Sequence, residues 1–163
     1  MVEEWRRERP DLDPTPMALF GLLTRADVLA GKRIAAGLAT AGVNRGEFDV
    51  LATLRRAGTP YARAAGALAQ SLLLSPGAMT NRLDKLEGMG LITRTVDPDD
   101  RRSVRIALTR SGRRLVDEAT TRHVENLAEM LAGLRRDERD ELSVLLGRLL
   151  SSLESPAHDV AGD

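Results

Sequence analysis

Residues 75 to 110, SPGAMTNRLDKLEGMGLITRTVDPDDRRSVRIALTR, constrain the fold more than any other stretch. Ser75 suits a helix N-cap, and Pro76 suits the first helical position, where no amide hydrogen is needed. Met79, Leu83 and Leu86 recur at helical spacing, so one stripe of that helix is expected to be buried. Gly90 is a natural stop with Leu91 packing behind it. Leu91 to Val96 and Val104 to Leu108 then read as two strands, joined by the charged, turn-rich stretch Asp97-Pro98-Asp99-Asp100-Arg101-Arg102.

A short helix followed by a hairpin with an arginine tip is the outline of a winged helix-turn-helix. Its helix is shaped for the major groove, and its wing for phosphates and the minor groove. Charge is distributed to match. The chain is neutral overall, yet residues 75 to 114 carry nine Lys/Arg against five Asp/Glu, so a positive patch coincides with the motif. Binding through such a patch should weaken steeply with salt.

Upstream, Met1 to Arg9 is a charged stretch with the only tryptophan, Trp5, set off by Pro10, Pro14 and Pro16. It reads as a solvated tail or as a helical turn with Trp5 tucked against the body. From Met17 to Thr40, Leu19, Leu22, Leu23, Ala26, Leu29, Ala30, Ile34 and Leu38 follow helical steps. Asn44 with Glu47 three residues on is a capping box for a helix running through Phe48, Val50, Leu51 and Leu54 to Gly58. Thr59-Pro60-Tyr61 is a connector or a short strand. Ala64 to Ser71 should supply the first helix of the helix-turn-helix, with Leu72-Leu73-Leu74 as its turn.

Beyond the hairpin, Thr109 or Ser111 can cap a long helix with Val116, Ala119, His123, Leu127, Met130 and Leu134 on its apolar seam. Gly133 and Arg135-Arg136-Asp137 mark a break. Leu142, Leu145, Leu146, Leu149, Leu150 and Leu153 then form a broad leucine stripe that must meet something. Asp137, Glu138, Asp140 and Glu141 suit the start of that helix.

Composition narrows the function classes. With 42% hydrophobic and 29% charged residues the chain is globular, and no apolar run approaches a membrane span. No signal peptide is apparent, so a cytoplasmic location is expected. Zero cysteines excludes disulfides, thiolate metal sites and thiol redox sensing. An enzyme is disfavoured: only two histidines are present, and no phosphate loop or catalytic carboxylate pair stands out. No cofactor or metal is expected, and His123 reads as an interface histidine rather than a ligand.

On the recognition helix, Gly77, Ala78, Asn81 and Lys85 point away from the buried stripe and are groove candidates, with Thr80 on the flank for a phosphate. Asn81 suits adenine, and Lys85 guanine or phosphate. In the wing, Arg102, with Arg101 beside it, is the candidate for the minor groove, and Asp100 for holding one arginine. A solvated helix face and a solvated hairpin tip are the alternatives. Arg82 lies roughly 65° from the stripe's centre and flanks the body. Asp49 sits within an apolar run, and Arg94 mid-strand. An acid and two arginines around an apolar shell fit either a structural ion pair or an anion pocket.

The stretch GAMTNRLDKLEGMGLITRTVDPDDRRSVRIALTRSG closely resembles the core of MarR-family transcriptional regulators, the wing matching through Asp100, Arg101, Arg102, Val104, Leu108, Thr109 and Gly112. Weaker agreement extends over nearly the whole chain. Where relatives begin the first helix with Ser or Thr and then Pro, Ala64 and Ala65 stand here, and Arg63 replaces a common leucine. The resemblance implies a mainly α (α+β) fold, a winged helix-turn-helix with flanking N- and C-terminal dimerisation helices. It implies one domain over 1–163: N-terminal helices and ligand pocket at 1–41, the DNA-binding core at 44–110, dimerisation helices at 111–154 and a tail at 155–163.

The implied function is that of a homodimer binding double-stranded DNA at a palindromic operator, more as a repressor than an activator. Ser75, Gly77, Ala78, Thr80, Asn81, Lys85, Arg101 and Arg102 are the DNA-binding candidates. Lack of cysteine excludes the family's peroxide-sensing branch. Trp5, Asp49, Arg82 and Arg94 fall where the urate-responsive, PecS-type branch has a tryptophan, an acid and two arginines. That implies a small anionic ligand, urate or a related purine first, with aromatic or citrate-like acids as alternatives. A winged-helix module that binds protein instead of DNA is the competing class.

Overall fold

The computed structural model describes residues 1–96 and 103–154. Its elements run α1 (Val2–Glu8), α2 (Thr15–Ala39), α3 (Arg45–Arg56), β1 (Ala62–Ala64), α4 (Ala65–Ser71), α5 (Pro76–Gly88), β2 (Ile92–Val96), β3 (Val104–Leu108), α6 (Arg110–Met130) and α7 (Arg136–Glu154). The chain divides into two compact units, Met1–Asn126 and Leu127–Asp163.

In the first unit, α3 starts with the expected capping box. Asn44 Oδ1 accepts the Glu47 amide at 3.0 Å, and the Asn44 amide donates to Glu47 Oε2 at 2.9 Å. Phe48, Val50, Leu51 and Leu54 face inward from this helix, where they meet Leu68 of α4 and Met79, Leu83 and Leu86 of α5. All three apolar residues of the α5 stripe are buried, as their spacing predicts. The helix closes on Gly90, whose φ of 69° is the left-handed conformation, and the Leu91 amide reaches back to the Leu86 carbonyl at 3.0 Å.

Strand β3 is central in a three-stranded antiparallel sheet of order β1-β3-β2. Arg94 pairs with Ile106, and Val96 with Val104, which sets the wing's register. Of the two readings of Thr59-Pro60-Tyr61, the connector holds: the short strand follows it at Ala62–Ala64, with Arg63 opposite Ile106. Three residues carry no periodicity, so only the free edge of β3 decides where pairing begins. Helix α4 starts at Ala65, and its N-cap, Ala64, supplies no side-chain hydrogen bond. The wing-tip residues Asp97 to Arg102, including Asp100, Arg101 and Arg102, lie outside the described residues, as does the tail from 155.

Helix α6 is capped by Thr109, whose Oγ1 accepts the Gly112 amide at 2.9 Å and donates to the Gly90 carbonyl at 2.8 Å. A Cβ at Gly112 would collide with the Leu91 carbonyl oxygen, so only glycine permits this close approach. Asn126 donates to the Arg33 carbonyl of α2 at 3.2 Å. Helix α2 buries Leu38 alone and leaves Met17, Leu19, Phe20, Leu22, Val28 and Leu29 exposed.

In the second unit, α7 begins where the Arg135 amide donates to Glu138 Oε2 at 2.7 Å. This helix buries no residue, and Leu142, Leu145, Leu150 and Leu153 remain exposed. Among the described residues, no helix is long and apolar enough to cross a membrane.

Candidate nucleic-acid interface

Because Met79, Leu83 and Leu86 anchor α5 to the core, its opposite side is presented outward. Ser75, Gly77, Thr80 and Asn81 are exposed and Ala78 is half-buried. Ser75 Oγ accepts the Ala78 amide at 3.4 Å, and open space surrounds Gly77, so a duplex backbone could approach this first turn closely. Thr80 Oγ1 donates to the Pro76 carbonyl at 3.0 Å, which leaves its lone pairs outward but spends its proton within the helix.

Lys85 is exposed, on the side away from the buried stripe, and its Nζ lies 2.7 Å from Glu47 Oε1 on the first turn of α3. Glu47 is 2% exposed and also accepts from Asn44 Nδ2 at 2.7 Å. Burial pushes its carboxyl up, but the Lys85 contact and the Asn44 hydrogen bonds outweigh this and hold it below the ordinary glutamate value. The wheel places Lys85 correctly in angle; a four-carbon stem carries its charge round to the body.

The four ligand candidates are engaged in different contacts. Arg82 packs over α3, its Nη1 donating to the Gly46 carbonyl at 3.5 Å, and a Cβ at Gly46 would stand 2.7 Å from its Nε. Arg94, 25% exposed, clamps β2 to α5 through Asp84 at 2.6 Å and approaches Glu87 at 3.2 Å without hydrogen-bond alignment. Asp49 lines a cavity of about 620 Å³ together with Phe48, Arg56, Asp117 and His123; Trp5, Arg82 and Arg94 are not among its lining residues. Trp5 sits on α1 and is 41% exposed, so a helix forms here but does not bury its tryptophan.

Sequence reasoning missed a second cluster. Two guanidinium groups lie over the Tyr61 ring, Arg113 at 4.6 Å and Arg55 at 5.0 Å from its centroid, with Arg55 held by Asp117 at 2.6 Å. A hydrogen bond with Thr59 lowers the phenol's pKa; burial opposes this, and the two arginine charges add to the lowering. The His123 ring packs against Phe48 at 5.1 Å with the two planes tilted by 58°, and its Nδ1 is buried without a hydrogen-bond partner among the described residues. No group of His, Cys, Asp and Glu among the described residues is arranged to hold a metal ion.

Residues 43–104, which span α3 to the wing, match the model of the MarR family. Over 149 residues the chain is 39% identical to the HTH-type transcriptional regulator PecS of Dickeya dadantii, covering 91% of this chain and 90% of that protein. The chain belongs to the MarR family.

It is accordingly a DNA-binding transcriptional regulator and not an enzyme. The fold matches a cysteine-to-serine mutant of MarR from E. coli complexed with operator DNA, at a TM-score of 0.73 and 24% identity, over 85% of this chain and 98% of that one. A structure of Bordetella bronchiseptica BpsR, described as regulated in DNA binding by 6-hydroxynicotinic acid, superposes at a TM-score of 0.69. It is 25% identical, covering 79% of this chain and 90% of that one.

Proposed function

We propose that this MarR-family regulator is a cytoplasmic homodimeric repressor that grips a palindromic operator and releases it when a small anionic ligand binds. The observation that carries the DNA contact is the outward face of α5, where Ser75, Gly77, Ala78, Thr80 and Asn81 surround a helix N-terminus while the opposite stripe is buried. Asn81 is the base reader, suited to adenine, and the others support close backbone approach. Arg101 and Arg102 at the wing tip are assigned to the minor groove. Dimerisation is supported by the exposed leucines of α2 and of α7, which one chain leaves without cover. Two-fold symmetry would set the recognition helices about 34 Å apart on successive major-groove faces.

For the ligand, urate or a related purine is the first candidate, from the resemblance at Trp5, Asp49, Arg82 and Arg94. Two of these residues already act on the recognition helix: Arg82 belongs to α5, and Arg94 holds Asp84 of α5. An anion drawing Arg94 away from Asp84 would release one end of α5 and couple binding to DNA release. Isothermal titration with urate, xanthine, citrate and salicylate, followed by the same ligands in an operator gel shift, tests this. Heat with urate that disappears in Arg94→Ala supports the reading; no heat with urate, or equal heat in the variant, removes it.

A further inference from the structure

We infer that Lys85 and Glu47 form a positioning pair that sets the pose of the recognition helix, so that Lys85 controls operator recognition without touching the nucleic acid. This rests on the reading of α5 as the base-reading helix. Three observations converge on it. The Glu47 carboxylate is withdrawn from solvent and takes three bonds: the Asn44 amide at 2.9 Å, Asn44 Nδ2 at 2.7 Å and Lys85 Nζ at 2.7 Å. Lys85 supplies the one bond that comes from another helix. Arg82, one turn earlier on α5, makes a second contact with the same turn of α3 at Gly46. Positions 82 and 85 therefore form a polar row beside the buried stripe, and both members of the row end on the N-terminus of α3.

The physical consequence is a division of labour along one helix. An ammonium hydrogen-bonded to a buried carboxylate has its charge compensated within the protein, although Lys85 keeps 58% of its side-chain surface exposed. It would neutralise no phosphate and displace no counterion. Loss of the bond leaves Glu47 buried with one partner fewer and frees α5 to roll about its apolar stripe, which misaims Asn81. Non-operator duplexes, held by phosphates rather than by base edges, are far less sensitive to that roll.

The test is fluorescence anisotropy with a duplex from the chain's own promoter and a scrambled duplex, from about 50 to 200 mM salt, where phosphate contacts reveal themselves in the slope. Lys85→Met and Glu47→Gln are each expected to weaken operator binding about tenfold, and the double variant no further, because the two substitutions break one interaction. Scrambled-duplex affinity and the salt slope should match wild type, and Lys85→Arg should restore operator binding. A slope shallower by about two units in Lys85→Met, one for each protomer of the dimer, or wild-type operator binding by that variant, overturns the inference. If Lys85→Met does not fold, Glu47→Gln decides: tighter binding with a steeper slope would mean that a freed Lys85 reaches phosphate, and would equally overturn it. Wild-type protein that binds no duplex removes the DNA reading of α5 itself, whereas wild-type binding with a shallower slope in Lys85→Met removes only the positioning role.

Discussion

The winged core and the terminal helices carry similar leucine stripes, yet only the core buries its own. Helices α3, α4 and α5 turn Leu51, Leu54, Leu68, Leu83 and Leu86 into one interior, closed from above by Ile92 and Ile106 of the sheet. Helix α2 buries Leu38 alone, and α7 buries nothing. The same spacing therefore means two different things. In the core it completes a structure within one chain, while in α2 and α7 it leaves surface that a second copy is proposed to cover.

The largest effect expected from that contrast is on DNA binding. Leu145→Asp combined with Leu150→Asp should leave the core folded, convert the dimer to monomer by analytical ultracentrifugation, and weaken operator binding by about 10²–10⁴-fold through lost bivalency. A double variant that remains dimeric would break the comparison. Next, Leu54→Ala, fully buried, should lower unfolding stability by about 2–5 kcal/mol in a denaturant titration. An unchanged midpoint would mean the core is not the self-sufficient part.

Smaller still, Asn81→Ala should cost about 1–3 kcal/mol on the operator and almost nothing on a scrambled duplex, with stability unchanged. Equal losses on both duplexes would remove Asn81 as a base reader. The smallest effect is a pH signature. Because Glu47 is held below its ordinary value, its contribution is complete above the ordinary glutamate range and fades as pH falls through the folded value. Thermal melts of Glu47→Gln should accordingly lose less stability on acidification than wild type. Parallel pH profiles would show that the Glu47 carboxylate contributes nothing.

Much of the core was legible in the sequence because its signals are local. The Asn44–Glu47 capping box, the Met79–Leu83–Leu86 stripe and the stop at Gly90 each lie within a few residues, where helical geometry dictates who meets whom. Contacts across long separations were not. Lys85 and Glu47 are brought together only when α5 crosses the start of α3, and a helical wheel records angle but not where a flexible stem ends. The contact of Tyr61 with Arg55 and Arg113 needs three segments at once. Gly46, which makes room for the Arg82 guanidinium, offered a weak signal as a glycine inside a helix's first turn. The four ligand candidates matched a pattern of positions, whereas their side chains are engaged separately, Arg94 with Asp84 and Arg82 with Gly46.

The measurement closest to the central claim is an anisotropy titration of a promoter duplex against the wild-type protein at increasing salt. Two protomers should bind each palindromic site, with affinity falling by at least about 10³-fold between 50 and 200 mM salt. A protein that ignores every duplex at low ionic strength, or binds as one protomer with no dependence on salt, would contradict it.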